Sequence, residues 1–109
     1  NAVLTKASLE GVNLERANLT LANMEKANMT RADLDRADLS GANLKGAILK
    51  RAKLKRANFT SANLSGVDFD DAVLKLAIFS GANLRMPKTW NRKFSTAPVA
   101  TAIPSFLKV

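Results

Sequence analysis

A chain of 109 residues, 47% of them hydrophobic, is enough for one domain and a short appendage. No apolar run approaches the roughly 20 residues of a membrane-spanning helix. His, Cys and Tyr are absent, which removes the commonest general base, the thiol nucleophile and the soft metal ligands. Without cysteine the redox compartment cannot be read from the sequence. A net charge of +8 and a pI near 10.3 direct attention to anionic partners.

From Ala2 to Met86 one five-residue unit repeats seventeen times without insertion or deletion. Its central position is always large and apolar, from Leu4, Leu9 and Leu14 through Met24 and Met29 to Phe59, Phe69, Phe79 and Leu84. Two residues earlier sits alanine, replaced only by Val12 and Val67. A helix would rotate successive central residues by about 140° and scatter them around its axis. A straight strand fails too. Central residue and alanine share one side of an extended segment, but an odd period turns the next pair the other way. The chain must therefore turn a corner once per unit, so that every pair returns to one interior.

The unit Ala-Asn-Leu-x-x, clear in GANLKGAILKRAKLKRANFTSANL, resembles the pentapeptide-repeat family with its A(D/N)LXX pattern, and the match covers 85 of the 109 residues. The resemblance implies an all-β fold, a right-handed quadrilateral parallel β-helix of about four coils, spanning residues 2–86 and followed by a non-repeat tail at 87–109. Stacking suits the bottom-up reading, since no unit can bury its leucine alone. Some family members mimic DNA through a strongly acidic surface and bind type II topoisomerases. The basic balance here departs from them, so that activity is not carried over. The family's distribution further implies a cyanobacterial or chloroplast setting, including the thylakoid lumen, and a subunit of a photosynthetic complex.

With four units per coil, residues twenty apart become vertical neighbours. Asn23, Asn43, Asn63 and Asn83 then form one column. Asn or Asp fills this position in eleven units, and we read it as a short polar side chain that bonds nearby backbone groups at a turn, with a functional Asn ladder as the alternative. Thr20, Ser40, Thr60 and Ser80 form an uncharged column, either a solvated hydroxyl ladder or a flat contact surface. Arg16, Arg36 and Arg56 make a third column, Arg31 and Arg51 a fourth, and Lys50, Lys53 and Lys55 complete a candidate basic patch. Glu15 and Asp35 sit beside the first Arg column. No aromatic residue interleaves the patch and no reading helix is predicted, so a solvated or protein-facing patch is preferred to a nucleic-acid site.

Asp68, Asp70 and Asp71 are the sole carboxylate cluster. We read it as a solvated acidic edge, with weak calcium binding as the alternative. Hexapeptide-type β-helix acyltransferases, the nearest enzymatic lookalikes, depend on a histidine. No catalytic residue, metal or cofactor is therefore expected.

Pro87 ends the repeat. Arg85 to Val109 holds five basic residues and no acid, whereas residues 1–84 hold twelve bases against nine acids. Trp90 and Phe94, four apart, fit one helical turn that either covers the last coil or docks on a partner. Ile103, Phe106 and Leu107 lie in an extended apolar stretch that either runs back along the rod or docks on a partner. The sequence opens at Asn1 with the repeat already under way at Ala2, which fits a processed chain or a piece of a larger protein. A non-catalytic scaffold within a protein assembly, docked by the C-terminal tail or an open coil end, is the expected function, and a polyanion- or nucleic-acid-binding module is the alternative.

Overall fold

A computed structural model describes residues 2–85. The helical turn expected at Trp90 and Phe94, the extended stretch holding Ile103, Phe106 and Leu107, and the boundary after Met86 lie outside these residues.

Each unit turns its corner in one way. The residue two after the centre has positive φ in all sixteen units where it is described, five times as glycine and eleven times as another residue. The carbonyl of each central residue accepts from the backbone N–H three residues on, at 2.9–3.2 Å, from Ala7 N–H to Leu4 C=O up to Ala82 N–H to Phe79 C=O. A positive φ confined to the third residue of a hydrogen-bonded four-residue turn is the signature of type II. A side chain in the left-handed region costs about 1–2 kcal/mol, which the repeated turn bond and the stacking overcome. At Gly41, with φ at +69°, an added Cβ would lie 2.7 Å from Cδ2 of Leu21, the tip of an exposed side chain that can turn aside.

Parallel bridges join residues twenty apart, from Val3 with Asn23 to Asn63 with Asn83. One circuit is therefore four units, which defines four faces. The first is centred on Leu4, Met24, Leu44, Leu64 and Leu84; the second on Leu9, Met29, Leu49 and Phe69; the third on Leu14, Leu34, Leu54 and Leu74; the fourth on Leu19, Leu39, Phe59 and Phe79. Pairing is through isolated bridges, one per unit, because the turn interrupts the ladder before a longer strand can form.

The backbone donors of a unit can be followed one by one. Taking the unit of Leu34, Ala32 N–H closes a turn on Met29 C=O. Asp33 N–H reaches back to Val12 C=O, while Leu34 and Arg36 N–H reach forward to Lys53 and Lys55 C=O. The fifth donor, Asp35 N–H, has no carbonyl in line, and the Asp33 side chain accepts it at 3.1 Å. All eleven Asn and Asp residues at that position do the same at 3.0–3.3 Å. The column of Asn23, Asn43, Asn63 and Asn83 is thus part of the backbone's own hydrogen bonding.

Every buried residue among those described occupies the central position or the small position two before it, and none of them is polar or charged. In the first circuit Leu4, Leu9 and Leu14 are half-buried, whereas Leu34, Leu54 and Leu74 are fully enclosed. The enclosed residues form one continuous column. Three phenylalanines fill its later part: Phe59 stacks on Phe79 with ring centroids 5.3 Å apart, and Phe69 meets both edge-on.

Asp38 carries the clearest electrostatic consequence of this architecture. The Ser40 hydroxyl, and then the Ser40 N–H, donate to its Oδ1 at 2.6 and 3.0 Å and hold the carboxyl below its ordinary value of 3.8. A carboxyl depressed by folding contributes stability above its unfolded value, and that contribution is lost as pH falls through the lower folded value. Asp38→Asn keeps the acceptor oxygen but removes the titration. Melting temperature followed from about pH 6 to about pH 2 should fall less steeply below about pH 4 in the variant than in the parent. Parallel acid limbs would show that Asp38 is not a coupled group.

Candidate interaction surface

With no polar or charged side chain buried among the described residues, side-chain chemistry on this rod is confined to its outward positions. They are the residue before each centre and the two after it.

The Arg columns sit where the register places them. Arg31 and Arg51 occupy the corner between second and third faces, and Arg16, Arg36 and Arg56 the corner between third and fourth, all with φ of 57–62°. Their backbones are fixed in the inter-coil bonds, for example Arg36 N–H to Lys55 C=O at 2.7 Å and Arg56 N–H to Lys75 C=O at 2.9 Å. The side chains are exposed.

Between the columns the patch is less basic than its list of residues implies. The third face carries Arg31, Asp33, Asp35 and Arg36 in one row and Arg51, Lys53, Lys55 and Arg56 in the next. Asp33 bridges to Lys53, and Asp35 Oδ1 accepts from Lys55 N–H at 2.9 Å. That last bond has a structural cause. Lys53 stands where Asn or Asp normally supplies the acceptor for the donor two residues on, and Asp35 in the row beneath replaces it. The sequence map placed Asp35 beside the Arg column but gave no sign of this bond.

On the second face, Thr30, Arg31, Lys50, Arg51, Asp70 and Asp71 line a shallow groove of about 240 Å³. Lys50 Nζ lies 3.7 Å from Asp68 Oδ2, with both side chains well exposed; such pairs contribute about 0–1 kcal/mol. The aspartate cluster therefore does not present three free carboxylates. Asp68 accepts from Asp70 N–H through Oδ1 and faces Lys50 through Oδ2. Among the described residues no group of three His, Cys, Asp or Glu is placed to hold a metal ion.

The hydroxyl column is also partly engaged. Thr20, Ser40 and Thr60 donate to Asn18, Asp38 and Asn58, which removes three hydroxyl donors from the fourth face. Among the described residues no helix is long and apolar enough to cross a membrane. Sequence reasoning passed over Val73, Leu76 and Ile78, which are large, apolar and about half exposed. Their signal was a departure from the repeat, three outward positions within six residues given to aliphatic side chains.

This geometry defines a solenoid built from five-residue units, four to the circuit. The profile described as pentapeptide repeats matches in eight copies, over residues 1–36, 16–51, 37–75 and 52–85. The chain belongs to the pentapeptide repeat family, whose members form right-handed quadrilateral β-helices. Among solved structures, a pentapeptide repeat protein of Nostoc PCC 7120 superposes with a TM-score of 0.69 at 23% identity, over 79% of this chain and 75% of that one. HetL, a pentapeptide repeat protein involved in heterocyst differentiation regulation in the same organism, is 32% identical over 76% of this chain and 47% of its own, with a TM-score of 0.44. A pentapeptide repeat protein of the Arabidopsis thaliana thylakoid lumen is 25% identical over 82% of this chain and 71% of its own, at 0.37. No curated protein sequence matches the chain.

Proposed function

We propose that the chain is a non-catalytic scaffold, a rod of about four coils on the twenty-residue register, whose outward positions hold other proteins in an assembly. One observation carries this: the interior is wholly apolar among the described residues, so the side chains able to recognise anything lie on the outer faces. The fold fixes only part of those outward positions. The turn needs a φ, the core needs its apolar pair and the backbone needs one Asn or Asp, which leaves two residues in five free to encode a partner. The tail supplies a second docking element, with Trp90, Phe94, Ile103, Phe106 and Leu107 as its anchors. A cyanobacterial or plastid setting, with a lumenal or photosynthetic assembly as its finer form, is the part of this reading that rests on the family's distribution alone.

The Arg columns favour a second reading, a polyanion-binding module, because five guanidinium groups stand in two aligned rows at exposed corners. Asp33 and Asp35 between the rows weigh against it. Recovery of the tagged chain from its source, with and without nuclease, separates the two. Stoichiometric protein companions should survive nuclease and moderate salt. Substituting Arg31, Arg36, Arg51 and Arg56 by Gln should leave the melting temperature within a few degrees of the parent. Retention of nucleic acid that falls steeply with salt and is lost in that variant would overturn the scaffold assignment.

A further inference from the structure

We infer that the corner formed by Val73, Leu76 and Ile78 is a docking site for an acidic partner segment that carries apolar side chains, an inference that rests on the scaffold reading above. The three side chains are 50%, 54% and 46% exposed. They lie on the third face, on the corner and on the fourth face of one circuit, so they form an apolar strip that wraps an edge of the rod.

None of the three is explained by the fold. Val73 and Ile78 stand where eleven units place Asn or Asp to accept the backbone donor two residues on, and neither has an acceptor to offer Lys75 or Ser80. Leu76 holds φ at +63°, where glycine is free of strain and an exposed leucine gains nothing from packing. Three of the four outward positions from Val73 to Ile78 are thus aliphatic, two of them in place of the usual acceptor, without any gain inside, which is the pattern expected where a partner supplies the gain.

Charge selects the occupant. Lys53 is bridged directly to Val73, Arg56 precedes Leu76 by one circuit, and Lys55 and Lys75 share a column between them. The aliphatic strip is therefore bordered by four cations. Asp71 at the preceding corner is the nearest acid on the same row, while Asp33 and Asp35 lie two circuits away, beyond Lys53 and Lys55. The chain's own tail is a poor occupant, since Arg85 to Val109 carries five bases and no acid. A second copy meeting the same corner would set like charges against each other. A flat lipid surface meets one face at a time, whereas this strip presents to two. An extended acidic peptide with one or two aliphatic or aromatic residues fits both the shape and the charge.

A random linear peptide display library selected on the full 109-residue chain tests this. The enriched sequences should be net acidic with apolar residues, and the strongest, made synthetically, should bind with an affinity that falls as salt rises. The Val73→Asn, Leu76→Gly, Ile78→Asn variant should weaken that peptide at least about tenfold. It should also melt no lower than the parent, because the substitutions supply side-chain acceptors for two backbone donors and relieve one left-handed side chain. A lower melting point would assign the three residues to structure and overturn the proposal. Peptides that are enriched but bind the variant equally would overturn this site and leave the scaffold reading standing. Absence of any enriched peptide would count against both. Self-association lost in the variant, or preferential binding to phosphatidylserine vesicles, would replace the acidic peptide by another occupant.

Discussion

Leu44→Asp is expected to abolish the fold, whereas Lys45→Asp, one residue on, should leave it nearly unchanged. Leu44 is fully enclosed, in a column between Met24 below and Leu64 above. A carboxylate there meets only apolar neighbours, and its desolvation costs several kcal/mol whether it stays charged or takes a proton. A domain of this size has about 5–10 kcal/mol to lose. Lys45 is exposed and its backbone N–H is already held by Asn43, so the same acidic side chain there meets water. Far-ultraviolet circular dichroism and limited proteolysis of the two variants give the comparison. Similar melting of Leu44→Asp and the parent would show that the central residues do not point inward.

The contrast between these neighbours was visible in the sequence because position within the unit fixes direction. The central leucine and the alanine two before it could be assigned inward from the odd period alone, and every buried residue among those described is one of that pair. The column of Asn and Asp was legible for the same reason: a short polar side chain at a fixed place beside a turn has few roles. Which residue adopts positive φ was not legible. Five glycines share that position with Arg, Lys, Leu, Ser and Asp, so composition conceals a conformation that the hydrogen-bonded turn imposes on any of them.

The surface was read less completely, and for a physical reason. Stacking on twenty placed the Arg columns correctly, but a column is one dimension of a two-dimensional face. Asp33 beside Lys53 and the bond from Lys55 N–H to Asp35 depend on which side chain reaches the row above. The aspartate cluster was read as a group in sequence, while Asp68 turns towards Lys50 on the row beneath. Val73, Leu76 and Ile78 passed as tolerated variation, since exposure separates a tolerated valine from an unsupported one.

Phe59→Ala should cost about 3–5 kcal/mol, the range for deleting a buried aromatic side chain. Phe59 is fully enclosed and touches two rings, stacked on Phe79 at 5.3 Å and edge-on to Phe69 at 6.2 Å. Pairs of this kind add about 0.5–1.5 kcal/mol to the area they bury. Phe59→Leu, which restores the commonest residue of the repeat, should cost no more than about 1.5 kcal/mol if its neighbours repack. The location of the damage is as informative as its size. In a solenoid each circuit contacts only its neighbours, so lost stability is felt first in the adjoining coils. Hydrogen exchange should therefore show protection in Phe59→Ala falling further over residues 72–85 than over residues 17–35. That outcome would mean that the three phenylalanines hold the circuit carrying Val73, Leu76 and Ile78, and that the Phe59→Ala variant loses peptide binding before it loses its fold. Uniform loss of protection along the rod would instead establish one cooperative unit, in which the same substitution destabilises both ends equally.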